Sequence, residues 1–388
     1  MNIIFNLITE NENSMNEHNI DESGCESCEY EESNFDYTIS QDDSINIVNS
    51  GYRYGFHVKK ETSMIKTFKN VIDYTPLSAM QFYNSNSRSK TPPKFDWVDL
   101  KAARNIIETF QEMYVCIHGC LLYNLAGTVN GPSDNKYNYA LSSSINGLVD
   151  ELDFGVVLGR PNNIGIGVVV HPGSRKDRKE GHIQVSKSII QCLTLEGLNT
   201  KGVADSLGIT VKEVLSKRKI ILENSAGEGT KLCSTLEEIA QVINNIPKHL
   251  KPQVKVCIDT MHIFGRGLYD FGIEGEIERF YQDFDDIIGL EYLEVFHFND
   301  AYRSDDKRKN APFGSRKDRH QNLGAGYIFG GEGKDNKEDL DRLDKITIFI
   351  EYALHYKIPM IGEPPNPGII DWQIVACLTK DTHTPLVY

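Results

Sequence analysis

Six apolar runs in this 388-residue chain close on a histidine or a carboxylate: YVCIH at His118, VVVH at His171, IILE at Glu223, VCID at Asp259, EVFH at His297 and PMIGE at Glu363. A single such ending reads as a hydrogen-bonded core residue; six in one chain do not. Three imidazoles and three carboxylates gathered without countercharge would each need a partner or a proton. Bound divalent cations remove that conflict. Further ligand types lie close by. His262 follows Asp259 in DTMH, and the loop GSRKDRH (314–320) offers Asp318 and His320 two residues apart. Its first six letters occur once before, at 173–178, where Lys179 stands in place of the histidine. A mixed histidine and carboxylate set suits zinc, with manganese or iron as substitutes. Nine ligands are too many for one four-coordinate ion and suit three ions with one bridging carboxylate. Clustered divalent ions favour phosphodiester hydrolysis, because they generate hydroxide and stabilise the leaving oxygen.

Such a cluster needs elements that bring distant residues to one place. From Tyr52 onward, short strand-like runs alternate with longer stretches of helical spacing. The strand candidates are 52–58, 78–84, 113–119, 166–172, 219–225, 254–260, 293–300 and 358–364; TLEEIAQVINNI (235–246) and DLDRLDKITIFIEYALHY (339–356) are typical of the helical stretches. Eight βα units predict an α/β fold, a (β/α)8 TIM barrel, with the metal site at its C-terminal mouth, where strand ends converge. A doubly wound open sheet is the alternative, disfavoured by eight near-equal units and the lack of a GxGxxG. One insertion, VADSLGITVKEVLSKRK (203–219), has the helix, glycine turn, helix character of a DNA reader. An elaborated crossover before the fifth strand explains it as well, and more simply.

Charge is unevenly placed. The net charge is −14, yet residues 1–50 hold twelve acidic and no Lys or Arg residues, leaving −2 for residues 51–388. The first segment is read as an acidic, disordered or loosely packed extension, the second as the catalytic domain. RKDRK (175–179) and the loop 303–319 are locally basic, so overall acidity does not exclude a phosphate-rich ligand. Eight cysteines in a chain of this length are not a disulfide framework. Most sit in apolar runs as core residues, and the lone CxxC of Cys25 and Cys28 lacks a second pair at zinc-ribbon spacing. No apolar run reaches a membrane-spanning length, and the start NIIFNLI makes a poor signal peptide. The expectation is a soluble, intracellular protein without membrane association. Whether it works in nucleus, cytoplasm or virion is left open.

The segments ILENSAGEGTKL (221–232), VCIDTMHIFGRGLYD (256–270), VFHFNDA (295–301) and FGSRKDRHQNLGAG (313–326) resemble the signature segments of endonuclease IV, a zinc-dependent family of abasic-site endonucleases. With GFHV (55–58) and VVVHPGSR (168–175), the resemblance spans about residues 52–375. It implies a (β/α)8 barrel with three zinc ions. The first ion would take His118, His171 and Glu223; the second Glu223, Asp259, His297 and Glu363; the third His262, Asp318 and His320. It implies hydrolysis of the phosphodiester 5′ to an abasic site by a metal-bound hydroxide, leaving a 3′-hydroxyl and a 5′-deoxyribose phosphate. Glu363 and Glu223 are then the catalytic carboxylates, with Glu363 also orienting the water. The implied partner is double-stranded DNA with abasic or 3′-blocked damage, met by a monomer that also cleans 3′ ends.

DNA contacts are expected from Arg88 in QFYNSNSRSK, as a minor-groove probe, from Leu121 and Leu122 as an apolar wedge, and from Arg175, Arg316 and Arg319 in the basic loops. Leu121 and Leu122 lie where the family commonly has an aromatic, so stacking by a ring is lost there. GEPPNP (362–367) also departs from the family's wording after the last ligand. The repeated GSRKDR then reads as coincidence: the second copy ends in histidine to deliver Asp318 and His320, while the first need only be basic. A sugar isomerase or epimerase on the same barrel is the competing reading, but it calls for a lysine at the mouth and no strand ends in one. A non-catalytic DNA-binding barrel would have no need of nine ligands. If the acidic extension competes with phosphate, deleting residues 1–50 raises affinity for undamaged duplex at low salt. Unchanged binding in a salt titration would remove that role.

Overall fold

Runs such as GVVV and IILE have no polar face, so they are stable as strands only when both faces are covered. The computed structural model describes residues 53–74, 78–109, 113–127, 135–159, 166–330, 337–365 and 371. The acidic extension and the pair Cys25 and Cys28 lie outside the described residues. The barrel strands are β1 (Tyr54–Val58), β2 (Ala79–Phe82), β3 (Tyr114–His118), β4 (Gly167–Val170), β5 (Ile220–Glu223), β6 (Val254–Asp259), β7 (Leu293–His297) and β10 (Met360–Gly362). They close in the order β1-β10-β7-β6-β5-β4-β3-β2, every pair parallel. Two short strands, β8 (Asp300–Ala301) and β9 (His320–Gln321), pair antiparallel above β7. This is the α/β TIM barrel expected from the alternation of elements.

The strand period of two sorts the side chains. Outward residues such as Val115, Ile117, Leu222 and Ile258 join the large core against the helices. Inward ones form a separate plug of Ala79, Cys116, Val169, Ile221, Cys257, Val295 and Ile361, all without solvent exposure. Cys116 and Cys257 are thus core residues, as their apolar context suggested. Two residues beyond each plug residue stands Gln81, His118, His171, Glu223, Asp259, His297 or Glu363. On β1 the same step runs from Gly55 to His57. Gly55 has to be glycine, because a Cβ there would lie 1.6 Å from the Ala79 carbonyl oxygen.

The helices that matter here are α1 (Met64–Tyr74), α2 (Trp97–Thr109), α3 (Asn135–Leu158) and α4 (Arg178–Thr194), followed by the insertion helices α5 (Thr200–Leu207) and α6 (Val211–Lys217). Gly208, at φ 67°, ends α5, and a capping box of Thr210 and Glu213 opens α6. The helix-turn-helix character of this segment is real. Since it leads into the start of β5, it lies at the amino-terminal end of the barrel, away from the ligand layer. Arg218 anchors it: fully buried, it pairs with Asp153 of α3 at 2.7 Å and donates to the carbonyls of Cys192 and Leu195. Burial pushes the Asp153 carboxyl up although Arg218 pulls it down. No described helix is long and apolar enough to cross a membrane. Asp153→Ala strands the Arg218 guanidinium and is expected to cost about 3–5 kcal/mol in urea unfolding, with Asp153→Ala/Arg218→Met recovering part of the loss.

Candidate metal centre

The remaining helices are α7 (Leu236–Asn244), α8 (Thr260–Arg266), α9 (Glu276–Ile287) and α10 (Lys337–His355). Parallel register holds the strand ends in a staggered ring: Glu223 lies beside Cys257, and Asp259 beside His297. Six strand-end ligand types therefore face one space, joined by His262 from the first turn of α8, by Asp318 from the β8–β9 loop and by His320 at the start of β9.

Glu223 sits at the centre. Its Oε2 is 3.4 Å from His118 Nε2 and 3.5 Å from His171 Nε2, while its Oε1 is 3.0 Å from His297 Nδ1. Glu363 Oε2 reaches the same His297 nitrogen at 3.2 Å. Donor atoms within 4.8 Å of one another group as His118, His171, Glu223; as Glu223, Asp259, His297, Glu363; as Asp259, His262, His320; and as His118, His297, Glu363. The third group contains Asp259, whose Oδ2 is 3.3 Å from His320 Nε2. The set implied by the resemblance is drawn together as well, with Asp318 3.2 Å from His262 Nε2 and 3.5 Å from His320 Nε2. Lys231 Nζ, 3.3 Å from Asp318 and 2.8 Å from Glu228, competes for that carboxylate.

The imidazoles are preset. Nδ1 of His118 donates to the Gly119 carbonyl at 2.8 Å, that of His262 to the Asn224 carbonyl at 3.1 Å, and that of His320 to the Glu363 carbonyl at 3.0 Å. A carbonyl can only accept, so in the neutral rings Nε2 keeps a lone pair aimed inward. Glu223 Oε2, His262 Nε2 and His320 Nε2 are buried yet make no well-formed hydrogen bond. Inward lone pairs and an orphaned carboxylate oxygen a few ångströms apart are a donor set that fits divalent ions.

With protons in place of ions the cluster behaves as interlocked ion pairs. Burial opposes charge on every ring, but the carboxylates of Asp259 and Asp318 outweigh it at His262, raised to about 9, and those of Glu363 and Glu223 outweigh it at His297, also raised to about 9. His320 rises well above its ordinary value for the same reason. His171, for which burial prevails, falls to about 4. Burial likewise favours the neutral acids, yet the imidazoliums hold Glu223 and Asp318 well below the carboxylate range and Asp259 below it.

Sequence reasoning missed three residues of this layer. His57, Gln81 and Tyr83 come from β1 and from β2 and its following loop, with the His57 ring 4.3 Å from that of Tyr83 and Tyr83 5.1 Å from His118. Their signal was the inward parity of GFHV and AMQF, obscured because neither run ends on its polar residue. Lys231 was also missed, since it arrives from a loop rather than a strand end.

The expected DNA-contact residues divide. Arg88 is exposed in a turn whose Asn86 side chain accepts from its N–H. Leu121 and Leu122 are exposed beside it, with Leu121 N–H donating to the Ser87 carbonyl at 2.9 Å. Arg316 and Arg319 lie on the β8–β9 loop, both exposed to solvent. Arg175 pairs with Glu180, and Arg178 in the same basic run is clamped by Glu238, so both are committed within the protein.

The family model of xylose isomerase-like TIM barrels matches residues 79–333. A probable endonuclease 4 from Mycoplasmoides gallisepticum is 32% identical over 69% of this chain and 76% of its own length. Apurinic-apyrimidinic endonuclease 1 of Saccharomyces cerevisiae is 27% identical over 72% of this chain and 65% of its own. The chain belongs to the endonuclease IV group of this barrel family. The crystal structure of endonuclease IV from Thermus thermophilus, 23% identical, shares the fold with a TM-score of 0.60 over 85% of this chain and all of that one.

Because His262 and His297 carry protons at pH 7 in the ion-free cluster and ligand nitrogens must be neutral, zinc binding should release about two protons or more per chain. Calorimetry in buffers of different ionisation enthalpy measures the number, and release near zero contradicts it. Stability should follow the same protons. Pairing that raises an imidazole above 6.5 stabilises the fold fully below pH 6.5 and is lost as pH rises through about 9. Thermal melts of the ion-free protein should therefore fall across that window, and added zinc should offset the fall.

Proposed function

We propose that the protein is a DNA repair endonuclease that hydrolyses the phosphodiester 5′ to abasic sites, leaving a 3′-hydroxyl and a 5′-deoxyribose phosphate, with 3′-end cleaning as a secondary activity. The observation that carries this reading is a cluster of eight histidines and carboxylates centred on Glu223 and flanked by Asp318, in a chain whose relatives include one named apurinic-apyrimidinic endonuclease 1 and another named probable endonuclease 4. The proposed cofactor is zinc, three ions per chain, with manganese or iron able to substitute. His118, His171 and Glu223 would hold the first; Glu223, Asp259, His297 and Glu363 the second; His262 and His320, with Asp259 and Asp318 in reach, the third. When bound, such ions lower the pKa of a water and offset charge on the phosphate and the leaving oxygen.

The chain supplies the rest. Glu363 Oε2 lies 3.2 Å from His297 Nδ1, and in this reading Glu363 would orient the attacking water and take its proton. Its backbone N–H donates to Asn299 Oδ1 at 2.7 Å, and Asn299 Nδ2 donates to Asp259 Oδ2 at 2.8 Å, so base and ligand are fixed by one side chain. Arg88 and the pair Leu121 and Leu122 form a joined rim: a cation for the minor groove and two apolar wedges for a stack weakened by the missing base. Arg316 and Arg319 approach backbone phosphate from the β8–β9 loop. Arg175, held by Glu180, serves as loop structure instead.

A duplex carrying one abasic-site analogue, beside the same duplex undamaged, tests this directly. The zinc-loaded protein should cut only at the analogue and leave an end that a polymerase extends. Arg88→Ala should lower kcat/KM about tenfold, the scale of one lost contact of about 1.4 kcal/mol. No cut, or equal cutting of both duplexes, overturns the assignment.

A further inference from the structure

Gln81 is fully buried at the inner face of β2, two residues beyond the plug residue Ala79, and it has no ligand role in the centre described above. Its amide nonetheless touches three ionisable side chains of the mouth and one thiol of the plug. Nε2 lies 2.7 Å from Glu363 Oε1 and 3.1 Å from His57 Nδ1. Oε1 lies 3.0 Å from His297 Nε2 and 3.3 Å from Cys116 Sγ, whose thiol donates to it.

The amide cannot be turned round. At 2.7 Å from a carboxylate oxygen only a donor is tolerated, so the NH2 group must face Glu363. The carbonyl end then has to receive the His297 Nε2 proton. With that proton fixed on Nε2, neutral His297 presents its lone pair at Nδ1. Around Nδ1 stand Glu223 Oε1 at 3.0 Å, Glu363 Oε2 at 3.2 Å and Asp259 Oδ2 at 3.9 Å. A lone pair among three carboxylate oxygens is an arrangement that a cation satisfies. The same amide occupies Glu363 Oε1 and leaves Oε2 as the oxygen turned to the centre.

We propose that Gln81 is a positioning residue of the metal centre: one buried amide decides which nitrogen of His297 and which oxygen of Glu363 face the ion. The proposal rests on the reading that this centre holds divalent ions, and it adds the residue that selects the ligand atoms. Partners outside a ligand set commonly tune metal affinity by 10–100-fold, because they fix ring tautomer and carboxylate rotamer. A hydrocarbon of the same shape at position 81 would leave both free to turn.

The test compares the full-length protein with Gln81→Met, near-isosteric and unable to bond either partner, and with Gln81→Glu, which can accept from His297 but repels Glu363. Each is stripped with chelator, checked for native circular dichroism, and titrated with Co2+ in place of zinc, following visible d–d absorbance and competition by a chelator of known affinity. In both variants one of the bound ions should be held about 10–100-fold more weakly, with an altered visible band, and the others as in the parent. If Gln81→Met does not fold, Gln81→Glu alone tests the Glu363 half. Affinities and spectra equal to the parent in a folded variant overturn the role of Gln81 while leaving the centre intact. A parent protein that takes up no Co2+ overturns the metal reading itself and this inference with it.

Discussion

The structure depends on the two-residue period of a parallel strand inside a closed barrel. It lets one chain seal the barrel floor with an apolar plug and, one step later on each strand, present a polar layer at the rim. Cys116 and His118, Ile221 and Glu223, Cys257 and Asp259, Val295 and His297 are four instances of the same step. A slip of one residue in any strand would turn its ligand outward into the helices and its neighbour into the plug. The apolar floor also raises the cost of the layer above it, since every charge at the rim is backed by hydrocarbon rather than water.

That cost shapes the electrostatics. At the other end of the barrel, the buried pair of Arg218 and Asp153 shows how the protein handles a charge for structure alone: one cation and one anion, with the remaining guanidinium donors given to two carbonyls and the Thr200 hydroxyl. The rim is built differently. Its carboxylates and imidazoles share partners, several inward atoms make no hydrogen bond, and the rings are pinned from behind by carbonyls that leave the inner nitrogen bare. Such a set trades protons for cations. A purely structural network would have closed its own hydrogen bonds.

Much of this was legible in the sequence because barrel strands are short and end where they matter. A histidine or carboxylate closing an apolar run marks strand, direction and rim position at once, which is why His118, Glu223 and Asp259 could be found without coordinates. Gln81 and His57 were not legible on the same terms. QF and HV continue their runs past the inward polar residue, so only the parity of the neighbouring strands identifies them. Lys231 and the commitment of Arg175 and Arg178 were illegible for another reason: pairs between loops depend on where loops land. Residues 173–175 bridge to 230–232 across the mouth, and no local pattern announces that. The helix-turn-helix signal was real as local structure and uninformative about DNA, since only its place at the amino-terminal end of the barrel separates it from the site.

The repeated hexapeptide makes the division between local and tertiary information concrete. In both copies of GSRKDR the glycine takes positive φ, 89° at Gly173 and 74° at Gly314. There the likeness ends. Asp177 turns back to accept from the Glu180 N–H and starts α4, whereas the Asp318 carboxylate faces His262 across the centre. Arg316 is held at φ 56° by a 2.7 Å bond from its N–H to the Gly265 carbonyl of α8, while Arg175, outside the positive-φ region, docks its N–H on the Thr230 carbonyl at 3.0 Å. Six identical residues thus adopt a helix cap in one place and a ligand-bearing loop in the other. The residues just past each copy decide between the two: Lys179, Glu180 and Gly181 continue into a helix, while His320 and Gln321 pair with β8 as strand. The histidine that differs between the copies is therefore also the residue that ties the second loop to the sheet, so the change of one letter sets backbone and chemistry together.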